Sequence, residues 1–235
     1  MKVGKISIYG IPALIWGCES SKVYIAVHGN MSSKDDEVIK LLANIVTSRG
    51  YQLLSFDLPE YGERKNDVNY LCKVQNCVFD LKTIIEYAKK NYNEINLWAC
   101  SIGAYFSLLA YKNEKINRCL FLSPVVNMEM VIDNLMLLSN VTVADLEEKL
   151  EIKTRFGQTL YWDYYLYVKN NKITNWDKDT YILYGDNDNI QDINTIKKFS
   201  TSFKCNLLLL NGGEHYFHTE EQLNYYIKWL NEVVK

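Results

Sequence analysis

The sequence predicts an α/β fold, a mostly parallel central sheet with helices on both faces. Two observations carry that expectation. Short runs that are apolar on successive residues and closed by Gly, Pro or Asp recur along the chain, which is how strands buried on both faces read. Between them lie longer segments whose apolar residues repeat at helical spacing, and regular alternation of the two implies crossover connections and a parallel sheet. With 235 residues, 48% hydrophobic and 13% aromatic, the chain can bury a substantial core, and one domain spanning 1–235 is expected.

In chain order, VYIAVHG from Val23 reads as a strand and 37–48 as the helix after it. YQLLSFD from Tyr51 precedes a helix over 74–91, and INLWAC from Ile95 precedes one over 102–112. RCLFLSP from Arg118 breaks the rhythm, because the segment from Pro124 to about Trp176 is far longer than an ordinary crossover. A small helical cap inserted at about 125–176 is the expectation. TYILYGD from Thr180 with a helix over 192–203, then CNLLLLNGG from Cys205 with a helix over 220–234, resume the pattern. Pro12, Pro59 and Pro124 are expected at strand ends, and no repeat or low-complexity tract is visible.

A net charge of −2, with lysines scattered among acids, offers no basic footprint for nucleic acid. A small or neutral partner is expected. The six cysteines form no C-x-x-C pair, the opening MKVGKISIYG lacks a long apolar stretch, and no 18 consecutive residues are apolar. These features predict a cytoplasmic protein with reduced thiols and no membrane span. They leave its oligomeric state open.

In an open parallel sheet the reactive groups belong at the carboxyl ends of the strands. Those ends carry His28, Gly29 and Asn30, then Asp57 to Gly62, Ser101, the pair Asp186 and Asp188, and finally His215. Serine, acid and histidine occur in that order. The arrangement resembles the α/β-hydrolase family, whose nucleophile sits on a strained strand-to-helix turn and whose triad follows the same order. VHGN is similar to the family's oxyanion-loop motif, DLPEYGER to its Asp-x-Pro-Gly-x-Gly loop, ACSIGA to its nucleophile elbow, YGDNDN to its acid loop and GGEHYFH to its histidine loop. The resemblance spans essentially the whole chain.

That resemblance implies Ser101 as nucleophile, with Ala99 and Gly103 as the small residues a tight elbow needs two positions to either side; the family more often has glycine in place of Ala99. The bland alternative is that Ser101 only N-caps the following helix. Cys100 is flanked two residues away by Trp98 and Ile102 and reads as a packed thiol. Of the histidines, His28 reads as an organiser of its loop. His218 stands before a Thr219-x-x-Gln222 capping box. His215, after Gly212 and Gly213, matches the family's base, with a satisfied buried histidine as the alternative. The family's acid stands three residues after the strand-ending glycine, which implies Asp188 rather than Asp186; Asp186 reads as a turn residue bonding its own backbone.

By the same resemblance the backbone N–H groups of Ile102 and Asn30 form the oxyanion hole, with Met31 a less favoured donor, and no metal or organic cofactor is required. The segment FGQTLYWDYYLYV from Phe156, with Trp176 beyond it, is aromatic enough to cover an apolar group above Ser101. Met31, Tyr161, Trp162 and Tyr165 are therefore candidates for substrate contact, against the alternative that such aromatics merely pack the cap on the body. The expected activity is hydrolysis of a small to medium carboxylester or thioester through an acyl-enzyme, which makes the partner a small-molecule acyl substrate. Phospholipid, peptide and lactone substrates stay open, as do an acyltransferase using the same triad and a non-catalytic ligand-binding protein of the same fold.

Overall fold

The computed structural model describes all 235 residues. It opens with β1 (Val3–Ile8) and β2 (Ile11–Trp16), an antiparallel hairpin outside the alternating pattern. Its signals are nonetheless local. Exposure falls and rises along VGKISI, and Tyr9 and Gly10 both take positive φ, 51° and 90°, as the tight turn of a hairpin requires. Pro12 lies inside β2, opposite Ser7, rather than at a strand end. It is tolerated near the start of the strand, where its missing N–H costs little, and its carbonyl accepts the Asp57 N–H at 3.0 Å.

The alternating units follow as β3 (Lys22–Val27), α1 (Glu37–Ser48), β4 (Gln52–Phe56), α2 (Val74–Asn91), β5 (Glu94–Cys100), α3 (Ile102–Ala110) and β6 (Cys119–Leu122). Between β6 and the next strand of the main sheet stand α4 (Met128–Leu138), α5 (Val143–Lys149), the short strands β7 (Glu151–Lys153) and β8 (Thr159–Tyr161), and α6 (Trp162–Asn170). The chain closes with β9 (Thr180–Gly185), α7 (Ile193–Ser202), β10 (Asn206–Leu210) and α8 (Glu220–Val233). Each apolar run is a strand, and the helix ends lie within roughly two residues of expectation. The segment between β6 and β9 is not wholly helical, because β7 and β8 pair antiparallel in a second sheet. Three-residue strands are too short to show a period of two in sequence.

The main sheet has eight strands in the order β1-β2-β4-β3-β5-β6-β9-β10, antiparallel at β1–β2 and β2–β4 and parallel elsewhere. Alternation along β5 feeds two cores. Leu97 and Ala99 join Leu81 and Ile85 of α2, Phe106 of α3 and Ile196 of α7 on one face, whereas Trp98 joins Ile39 and Leu42 of α1 and Tyr226 and Leu230 of α8 on the other. Both faces of the parallel strands are covered, as such sheets demand. Trp176 belongs to the first core, its ring 5.9 Å from that of Phe121 and its Nε1–H donating to Thr180 Oγ1 at 2.8 Å. No helix is long and apolar enough to cross a membrane.

Candidate active site

Ser101 occupies the turn between β5 and α3 with φ 51° and ψ −123°, a conformation that L-residues other than glycine rarely hold. The surrounding packing imposes it. A Cβ on Gly103 would lie 2.3 Å from the carbonyl oxygen of His28 and 2.7 Å from that of Val27, so α3 can start only if a glycine lets it pass this close to β3. On the other side, Ala99 is fully buried in β5. The Ser101 hydroxyl makes no capping bond to α3. It points across the sheet end to His215, with Oγ 2.8 Å from Nε2.

The opposite ring nitrogen of His215, Nδ1, lies 2.6 Å from Oδ2 of Asp188, whose side chain is 1% exposed. With the carboxylate ionised, Nδ1–H donates to Asp188 and Nε2 is left to accept the serine proton. Oδ1 of Asp188 accepts the Ile190 N–H at 2.8 Å, which turns the carboxylate toward the histidine. The acid and histidine loops touch through glycines: a Cβ on Gly185 would lie 2.2 Å from the Gly213 carbonyl oxygen. Asp186 does not bond its own backbone. Its Oδ1 accepts the Gly212 N–H at 2.6 Å, and so it stitches the two loops together.

The loops after β3 and β4 are held by buried polar groups. His28 donates from Nδ1 to its neighbour's carbonyl, Gly29 O, at 2.7 Å and accepts the Leu58 N–H on Nε2 at 3.0 Å, which fixes a neutral ring. Burial pulls its pKa below the ordinary 6.5, against the opposing effect of the Gly29 bond. Asp57, fully buried, accepts the Lys34 ammonium at 2.5 Å and the backbone N–H groups of Lys34 and Glu63, each at 3.0 Å. Gly62, whose φ is +56°, leaves no room for a Cβ against that carboxylate. Tyr61, one residue earlier, donates its hydroxyl to Oδ1 of Asn30. The aromatic in DLPEYG is visible in the sequence, but its partner, 31 residues away, is not.

His218 donates to or accepts from no residue of this group; its Nδ1 faces Tyr216 O at 2.8 Å. Thr219 caps α8, and Gln222 reaches back to the His218 N–H at 3.2 Å, one residue short of the expected capping-box partner. Burial pushes the Cys100 thiol up to about 12, so it is no thiolate at neutral pH. Asn30 is exposed, and Met31, with φ 56°, is 85% exposed beside it. Ile102 is the first residue of α3, where a helix N–H has no acceptor within the helix.

Tyr161 and Trp162 line a cavity of about 320 Å³ together with Leu71, Lys73, Leu150 and Asp163. The Lys73 ammonium stands 4.4 Å over the Tyr161 ring and 2.8 Å from Asp163. Tyr165 is buried behind them, its ring stacked on Trp162 at 5.7 Å. Tyr164 of this helix is half-buried against the core. Burial first, and then Cys77, Cys72, Tyr105 and Tyr61 around it, raise its hydroxyl well above the usual phenol range.

No protein-family model matches the sequence, and neither does any curated protein. Solved structures do. Mouse α/β-hydrolase domain-containing protein 10 superposes with a TM-score of 0.80 at 13% identity, covering 100% of this chain and 98% of that one. Ferulic acid-bound Est1E from Butyrivibrio proteoclasticus gives 0.77 at 20% identity over 97% and 96% of the two chains. The Pyrococcus furiosus esterase Pf2001 gives 0.69 at 17% identity over 99% and 90%. The chain has the α/β-hydrolase fold. In α/β-hydrolase terms, Ser101 stands at the elbow after β5, Asp188 after β9 and His215 after β10, all at the carboxyl edge of the sheet. Such folds carry many chemistries, and the side chains of the site decide which.

Proposed function

We propose that the protein is a serine hydrolase that cleaves a small to medium carboxylester or thioester through an acyl-enzyme. The observation that carries this reading is the unbroken chain from Ser101 Oγ to His215 at 2.8 Å and on to Asp188 at 2.6 Å, built on a strained elbow. Each group has the partner its role needs. His215 Nε2 takes the serine proton as Oγ attacks the substrate carbonyl. Asp188 steadies the imidazolium that results. The oxyanion is received by the N–H groups of Ile102 and Asn30, donors of this kind being worth roughly 3 kcal/mol each. Met31 is the less favoured second donor. His215 then returns the proton to the departing alcohol or thiol, and the same nitrogen activates the water that releases the acid.

Residues 125–176 act in this reading as a cap, and the domain is single. Tyr161 and Trp162, which with Leu71 and Leu150 line the cavity of about 320 Å³, are assigned to the acyl or alcohol group, with Tyr165 backing Trp162. Ser101, His215 and Met31 lie outside that lining, and Met31 is a candidate contact from the loop after β3. Est1E and Pf2001, two of the solved structures with this fold, include an esterase and a protein seen with ferulic acid, and both support ester chemistry. Incubation with a fluorophosphonate followed by a panel of p-nitrophenyl and acyl-CoA esters tests the reading. Covalent label on Ser101 with turnover of short esters is expected. An unlabelled Ser101 would overturn it and leave a ligand-binding protein in its place.

A further inference from the structure

Gln191 is 2% exposed, and its side-chain hydrogen bonds all go to backbone groups. Its Oε1 accepts the N–H groups of Val126 at 2.7 Å and Asn127 at 3.1 Å, and its Nε2 donates to Asn127 O at 2.9 Å. The amide thus satisfies three backbone groups of the segment that leaves β6. That segment is tied to the elbow, since the Val125 N–H donates to Ser101 O at 3.0 Å. On its own side, Gln191 follows the acid loop: Oδ1 of Asp188 accepts the Ile190 N–H at 2.8 Å and makes a longer contact of 3.4 Å with the Gln191 N–H. Tyr184 of β9 donates its hydroxyl to the Gln191 carbonyl, which anchors the residue to the sheet.

Followed round, these bonds close a ring. It runs from Ser101 O through Val125, Val126, Gln191, Asp188 and His215 back to Ser101 Oγ. The elbow and the acid loop sit on different strands, and their spacing decides whether the Asp188 carboxylate can hold His215 at hydrogen-bond distance from the serine. We propose that Gln191 is the positioning residue of this site, a brace that sets the acid loop at a fixed distance from the Ser101 elbow and so keeps Asp188 on His215. An amide suits the position because its oxygen accepts two N–H groups while its nitrogen donates to a carbonyl. An apolar side chain of the same size leaves the Val126 N–H buried without a partner and removes the acceptor of the Asn127 N–H. The loop is then free to move.

The inference rests on the serine-hydrolase reading, and its test separates the two. Gln191→Met, checked for folding by circular dichroism, is compared with wild type on one p-nitrophenyl ester and by proton NMR of the downfield His215 Nδ1–H. The expected result is a fall in kcat of about tenfold or more with KM within about twofold, because the bound substrate is untouched while the transition state is. The Nδ1–H resonance is expected to shift or vanish. In an Asp188→Asn background the same substitution should cost almost nothing further, since residues acting as one unit are not additive. If Gln191→Met does not fold, Gln191→Asn, one methylene shorter and still polar, is expected to give a smaller fall in kcat with the same change in the resonance. A folded variant with kcat within about twofold of wild type, or with an unaltered Nδ1–H signal, overturns the brace. If wild type itself resists fluorophosphonate and cleaves no ester, the hydrolase reading falls, and the resonance, which needs no turnover, still tests Gln191.

Discussion

The carboxylate of Asp188 stands 2.6 Å from Nδ1 of His215, although 27 residues separate them, while Asp186, two positions nearer the strand, bonds the Gly212 N–H instead. Two acids in one short loop therefore have different work. Asp188→Asn is expected to lower kcat by roughly 10³ to 10⁴, through loss of the correct histidine tautomer. Asp186→Asn keeps an oxygen for Gly212 and should cost less than about tenfold. Steady-state kinetics of both purified variants on one ester decide the matter. A severe loss in Asp186→Asn beside near-normal Asp188→Asn would reverse the assignment.

Ser101, the proposed nucleophile, has a strained backbone. Ser101→Ala should remove fluorophosphonate labelling and lower turnover by about 10⁴ or more. Ser101→Gly should be equally inactive yet more stable than Ser101→Ala by about 1 kcal/mol, because glycine accepts φ 51°, ψ −123° without a Cβ penalty. Urea denaturation of the two variants measures the difference, and equal midpoints would show an unstrained elbow.

Tyr61 donates its hydroxyl to the side chain of Asn30, the residue proposed as an oxyanion donor. Tyr61→Phe keeps the ring against His28, whose centroid lies 5.7 Å away, and removes only the hydroxyl. A fall in kcat of about five- to tenfold with little change in KM is expected, the signature of an oxyanion donor that is present but less well placed. Unchanged kcat would free Asn30 from any dependence on Tyr61.

The buried, neutral His28 links stability to pH. Its pKa is lowered in the folded chain by burial, so the unfolded chain binds the extra proton more readily, and stability must rise with pH. The contribution is present in full above the ordinary value of 6.5 and is lost as the pH falls below it. Unfolding free energies between about pH 7.5 and 5 should decline for wild type, and the slope should be shallower for His28→Gln, which has no ring to protonate. Parallel slopes would exclude His28 as the source.

Lys34 and Asp57 form a buried ion pair whose loss is expected to be costly. Burial works against the Lys34 ammonium, but its hydrogen bonds to Asp57 and Glu63 outweigh that and leave its pKa raised. Lys34→Met strands the Asp57 carboxylate among buried groups and should cost about 3–5 kcal/mol, read from urea unfolding. A loss below about 1 kcal/mol would show that the two backbone N–H groups on Asp57 suffice.

The parallel strands, the helices between them and the order of Ser101, acid and His215 could be read from the sequence because each is signalled within a few residues: an apolar run, a 3.6-residue period, a small residue two places from a serine. The β1–β2 hairpin was signalled as locally, by alternation and the Tyr9–Gly10 turn, but it stands apart from the helix-strand rhythm that identified the rest. Nothing in the sequence singles out Gln191, and nothing local distinguishes a structural from a stitching role for Asp186. Their partners lie 65 and 26 residues away. Such pairs meet only because the sheet sets β6, β9 and β10 side by side, with β5 on the other flank of β6, and fixes their register. Strand order and register are properties of the packed molecule, and with them come the loop-to-loop distances on which a site at the sheet's carboxyl edge depends.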